Sequence, residues 1–113
     1  MNKYNAKKVR YAGYIFDSKV ERLRYIELRS LEQSGQISGL EVHPKFVLQP
    51  SFSHMGKHIR AITYTADFKY IENKIVVVED VKGGKATMTE AFNIRWKIVK
   101  FLNPHIVFKI VKY

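Results

Sequence analysis

The chain of 113 residues contains no cysteine. That excludes a disulfide framework and a thiolate zinc site, so secretion and zinc fingers drop out and the cell interior is the expected compartment. No apolar run approaches the roughly 20 residues that cross a bilayer, and no apolar stretch of signal-peptide length follows MNKYNAKKVR; a soluble protein is expected. Internal repeats and low-complexity segments are also missing, which excludes solenoids and arrays. Acidic residues are scarce, with ten Asp and Glu against twenty Lys and Arg and a net charge of +10.

What is present describes one folded domain, residues 1–113. Hydrophobic residues at 46% and charged residues at 27% fit an ordinary globule, and this length buries about two thirds of its unfolded surface around one core. The charge calls for a polyanionic partner, with nucleic acid ahead of a membrane surface because neither a Lys-flanked apolar helix face nor a lipidation signal is evident. Candidate DNA contacts are Lys7, Lys8 and Arg10 in a flexible basic arm over residues 1–10, Lys57 and Arg60, and Arg95 and Lys97 on a helix. A solubilising surface explains such charges equally simply.

Tyr11 to Phe16 reads as a short strand or hairpin edge. A helix follows from Asp17 or Ser18 to about Ser34, closed by Gly35, with Val20, Leu23, Ile26, Leu28 and Leu31 at three- and four-residue steps. Residues 37–52 read as one irregular strand broken by Gly39, Pro44 and Pro50, and 53–57 as a loop beside the site. From Arg60 to Ile71 the pattern alternates, with Ile62, Tyr64, Ala66, Phe68 and Tyr70 on one face. Ile75 to Val81 is a strand buried on both faces, joined to it by a turn at Asn73-Lys74. Gly83-Gly84 ends that strand. A second helix spans about Thr87 to Leu102, with Thr87 and Glu90 at capping-box spacing, and Ile106 to Val111 is a last strand. The fold class is mixed α/β, an α+β mixed sheet. Phe92, Trp96 and Phe101 are expected in the core, Tyr11 and Tyr14 either there or stacked on bases.

An acidic residue, any residue, then lysine occurs at Asp17, Asp67, Glu72 and Asp80, so the pattern alone selects nothing. Asp80-Val81-Lys82 differs by closing an apolar strand, where period-two alternation sets Asp80 and Lys82 on one face. A two-residue turn at 73–74 places Asp67 opposite Asp80, and like charges at about 5 Å call for a cation between them. Asp67, Asp80 and the Val81 carbonyl offer hard oxygen ligands for Mg²⁺ or Mn²⁺, with Lys82 beside them to orient or deprotonate an attacking water. A one-residue slip would exchange Asp80 for Glu79, the rival ligand. The plain alternative is a surface hairpin with an Asp-Lys pair. Ser18-x-x-Glu21 is a capping box. His43, His54, His58 and His105 are scattered; only His54 and His58 approach zinc-ligand spacing, and weakly.

Asp67 within Tyr64-x-Ala66-Asp67-Phe68, followed by Val77 to Gly83, resembles the PD-(D/E)XK nuclease superfamily. Phe16-Asp17-Ser18-Lys19-x-Glu21, Glu79-Asp80-Val81-Lys82-Gly83 and Thr89-Glu90-Ala91-Phe92 resemble, more closely, small phage and prophage proteins of that superfamily, often described as of unknown function. Ala66 stands where the superfamily's loosely kept proline would be. The resemblance implies a restriction-endonuclease-like core of helix, three-stranded antiparallel meander, helix and strand. It further implies a Mg²⁺-dependent DNA endonuclease, a hydrolase with Asp67, Asp80 and Lys82 catalytic and Glu21 joining the metal site directly or through water. A phage recombination or replication role, such as cutting branched DNA in the bacterial cytoplasm, follows from the resemblance alone. A homodimer would supply the second site needed to cut both strands. The rival readings are a non-catalytic basic DNA-binding module on the same fold and an adaptor for an acidic protein.

Overall fold

A computed structural model describes residues 7–83 and 88–113. In chain order its elements are β1 (Val9–Tyr11), β2 (Tyr14–Phe16), α1 (Lys19–Gln33), β3 (Ser38–Val42), β4 (Lys45–Gln49), β5 (Phe52–His54), β6 (Lys57–Ile59), β7 (Ile62–Thr65), β8 (Phe68–Glu72), β9 (Ile75–Lys82), α2 (Glu90–Leu102) and β10 (Val107–Lys112). The mixed α+β class expected from the sequence is the one observed.

Local chemistry sets both helix boundaries. Ser18 caps α1 by accepting from the Glu21 N–H at 3.2 Å. At its other end Gly35, with φ 83°, closes a Schellman motif in which Gly35 N–H donates to the Glu32 carbonyl and Gln36 N–H to that of Leu31. The second helix starts later than its sequence pattern suggests. Thr87 lies outside the described residues, and Thr89 is the cap, accepting from Phe92 N–H at 3.1 Å.

Four strands form the central sheet in the order β10-β9-β8-β3, with β10 parallel to β9 and the other pairs antiparallel. Strand β9 is thus flanked on both sides, which explains its unbroken apolar run. Asn73 and Lys74 have φ of 51° and 67°, as a type I′ turn requires. Pairing consequently runs from Glu72 with Ile75 to Phe68 with Glu79, the register a two-residue turn predicts.

The alternating segment after Arg60 is two strands rather than one. β7 pairs with β4, β8 with β3 and β9, and the break falls at Ala66-Asp67. Facing it, His43 has a left-handed φ of 56° and Pro44 is buried. Hydrogen bonds from His43 N–H to the Asp67 carbonyl and from Ala66 N–H to the Pro44 carbonyl carry the ladder across the bend. Side chains of one parity therefore reach two cores. Phe68 and Tyr70 join Phe16, Tyr25 and Leu28 beneath α1, whereas Tyr64 and Ala66 join Val78 and Val99 beneath α2.

Several expectations are corrected. Ile62 is exposed rather than sharing the buried face. Residues 53–57 belong to a hairpin, β5–β6, not a loop, and 37–52 hold two strands, β3 and β4, and the first residue of β5 rather than one strand. Val9 and Arg10 lie in β1, paired with β2, rather than in a flexible arm; residues 1–6 lie outside those described. Phe101 is 80% exposed, since its position on α2 points away from the core that Phe92 and Trp96 cover.

Candidate functional site

Three elements converge where the β3–β4 and β7–β8 hairpin bends: the first turn of α1, the bend itself, and the end of β9. Continuing the β8–β9 register by one step sets Asp67 across from Asp80. The ladder is irregular there, because Asp67 N–H donates to the Glu79 carbonyl at 3.1 Å. Such bulges re-aim side chains beside functional sites. The Asp67 carboxylate is anchored through Oδ2, which accepts from Val81 N–H at 2.6 Å.

Alternation along β9 separates its two acids. Glu79 is fully buried on the α1 side, where the Arg24 guanidinium grips both its oxygens at 2.7 Å, the Tyr70 hydroxyl donates to it at 2.5 Å and Lys109 approaches to 3.7 Å. Burial alone would raise its pKa, but Arg24 and Tyr70 overcome this and hold it below the usual glutamate value. Glu79 is thus committed to a structural ion pair, and the rival ligand faces away from Asp67. Asp80 points to the α2 side, accepting from the Tyr64 hydroxyl at 2.5 Å, with Lys82 Nζ 3.0 Å from its other oxygen. Lys82 also lies 3.9 Å from the centre of the Phe92 ring, which confines its ammonium beside Asp80.

Glu21 makes one half of the capping box, its N–H donating to Ser18, while its carboxylate accepts from Asp17 rather than from Ser18. One oxygen accepts from Asp17 N–H at 3.2 Å, and the other faces His43 Nε2 at 2.8 Å. Glu21, His43 and Asp67 each present a ligand atom within 4.8 Å of the others. Burial, then the charges of Asp80 and Glu21, push Asp67 up to about 8. Burial, then the charge of Asp17, pushes Glu21 up to about 7. Gly83 holds this assembly together: a Cβ there would lie 2.8 Å from Cγ2 of Val20, so the absent side chain lets α1 seat against the end of β9.

His43 and Tyr64 were not among the sequence candidates. The signal for His43 was Pro44, because a proline inside an extended segment marks a bulge or an edge; Tyr64 looked like ordinary core. The other histidine candidates dissolve: His54 pairs with Lys57 and His58 with Ser53, so alternation turns them to opposite faces of a ribbon. Among the proposed DNA contacts, Lys7, Arg10, Lys57, Arg60 and Lys97 are exposed. Lys8 pairs with Asp17 at 2.8 Å, and Arg95 is half-buried, its Nε donating to the Thr63 carbonyl at 3.1 Å and tying α2 to β7.

The donor set suits a hard divalent cation. Glu21 and Asp67, kept partly protonated by burial and neighbouring negative charge, would give up protons when such an ion binds, and two carboxylates with an imidazole leave positions for water. Among the described residues no helix is long and apolar enough to cross a membrane.

A family model described as "Protein of unknown function (DUF1064)" matches residues 1–113. No curated protein and no solved structure matches the chain.

Proposed function

From the premise that the chain belongs to the DUF1064 family, we propose that it is a Mg²⁺-dependent DNA endonuclease on a PD-(D/E)XK-type core. One observation carries this reading: Glu21, His43 and Asp67 bring ligand atoms within 4.8 Å of one another at the bend, and Asp80, near enough for its charge to raise the pKa of both the Glu21 and Asp67 carboxyls, lies beside Lys82. The sheet order, with β10 parallel to β9 and a helix packed on each side, also supports that core.

Asp67, Asp80, the Val81 carbonyl and Glu21 would hold the ion, with His43 orienting Glu21 or adding a ligand. When bound, the cation supplies Lewis-acid stabilisation of the charge that builds on the phosphate. The protein's own groups do the remaining work. Val81 N–H and the Tyr64 hydroxyl fix the two aspartates, so little reorganisation is needed as charge develops. Lys82 orients the attacking water and offsets the negative charge that builds on the phosphate. Exposed Lys7, Arg10, Lys57, Arg60 and Lys97 contact the phosphate backbone, and Mn²⁺ substitutes for Mg²⁺. A role in phage recombination or replication on branched DNA, in the host cytoplasm and as a homodimer, belongs to the same proposal.

The test incubates the protein with supercoiled, linear and four-way-junction DNA under Mg²⁺, Mn²⁺ and EDTA, alongside Asp80→Ala. Cutting that needs the metal and disappears in the variant is expected. Cutting that ignores EDTA or survives the substitution overturns the mechanism, and binding without cutting of any substrate leaves a DNA-binding module.

A further inference from the structure

The β5–β6 ribbon has no place in the site described above. Every residue from Gln49 to Ile62 is exposed, although Phe52 pairs with Ile59 and His54 with Lys57 in a regular ladder. Its tip, Met55-Gly56, turns through left-handed φ of 51° and 78°, and the Met55 side chain is 89% exposed. A two-stranded ribbon with both faces in solvent gains little from folding back on its own domain. It therefore looks outward for a partner.

Charge selects the partner. Between Glu41 and Asp67 the sequence has no acidic residue, while Lys45, Lys57 and Arg60 all fall there. The segment is thus wholly non-acidic, and both its ends are rooted at the bend that holds the carboxylates. A polyanion drawn along it is led to the candidate site. An acidic protein surface would satisfy the charge but not the apolar tip and the Phe52–Ile59 pair; a duplex groove offers phosphates at its rims and base edges or sugars at its floor. A two-stranded ribbon also fits the roughly 12 Å width of the major groove.

We infer that the β5–β6 ribbon is a DNA-binding arm that enters a groove of double-stranded DNA, with Lys57 and Arg60 on phosphates and Met55 against the floor. This rests on the nuclease reading for its DNA substrate and adds the form of that DNA and the extent of contact. From His43 to Met55 is twelve residues, which at roughly 3.3 Å each reach at most about 40 Å. One turn of duplex is about 34 Å, so the arm touches DNA up to about one turn from the cut.

The experiment measures binding of fluorescent duplexes in EDTA across a salt series, for wild type, the double variant Lys57→Ala/Arg60→Ala, and Met55→Asp. Each lost phosphate contact lowers the log–log salt slope by about 0.9, so the double variant should lose about 1.8. Met55→Asp should weaken binding about tenfold or more, with all three melting together because these positions are exposed. The arm's contribution should vanish on duplexes reaching less than about 10 base pairs to one side of the cut. Unchanged affinity and slope in both variants overturn the arm, as does loss of self-association with DNA binding intact, which would assign the ribbon to a second copy. If wild type binds through the ribbon but cuts nothing with Mg²⁺, the arm stands and the nuclease reading falls. If wild type cuts and the variants bind and cut equally well, the reverse holds.

Discussion

Glu79 inside β9 and Asp67 at the bend before β8 are both acids withdrawn from solvent, yet removing their charge should move stability in opposite directions. Glu79→Gln leaves Arg24 without its buried counter-charge, a loss of about 3–5 kcal/mol for such pairs. Because its folded pKa is lowered, Glu79 contributes stability above its unfolded value near 4.5, and that stability disappears as pH falls through the folded value. For Asp67 the sign reverses: its folded value is raised to about 8, so stability falls as pH climbs from about 4 to 8. In EDTA at pH 8, Asp67→Asn should melt several degrees above wild type, with the gap closing toward pH 4, while its amide oxygen still accepts from Val81. Thermal melts of the two variants across pH check both signs. Lys82→Ala should reduce kcat by about 100- to 1,000-fold, the range for removing one positioned electrostatic group, with metal binding retained. Single-turnover cleavage and Mn²⁺ titration measure the two separately.

At the scale of elements, the contact between α1 and the end of β9 sets the position of Glu21. Gly83→Ala would drive a methyl into Val20 and shift the first turn of α1; cleavage is expected to fall at least tenfold with a destabilisation of about 1–3 kcal/mol, measured by melting and cleavage side by side. Glu21→Gln keeps an acceptor for Asp17 N–H, so it should melt near wild type while losing metal affinity. What the sequence revealed here depended on local determinants. The Asn73-Lys74 turn fixes the β8–β9 register, and the capping of α1 places Glu21; both are readable because a few adjacent residues decide them. The bend at Ala66-Asp67 is not readable that way. Parity counting runs straight through it, and only pairing with His43-Pro44, more than twenty residues away, reveals that Tyr64 and Phe68 enter different cores. The same distance hid His43. The β5–β6 ribbon escaped because neither face is buried, so no hydrophobic alternation marks it as strand.

Across the whole molecule, extents of 53 × 37 × 25 Å describe an elongated body, and twenty basic residues against ten acidic ones give it a net charge of +10. Three of those ten acids, Glu21, Asp67 and Asp80, lie around one bend of the chain. Overall charge and fold class were legible from composition and order of elements, whereas the convergence of the three acids is a product of tertiary packing. The most direct test follows hydrolysis of a 5′-labelled duplex as free Mg²⁺ is raised from chelated to millimolar, for wild type beside Asp67→Asn. The rate should rise saturably with Mg²⁺ in wild type and fall by at least a hundredfold in the folded variant. Hydrolysis that persists in excess EDTA, or proceeds equally well with Asn at position 67, would contradict the assignment of this acidic cluster as the metal-dependent active site.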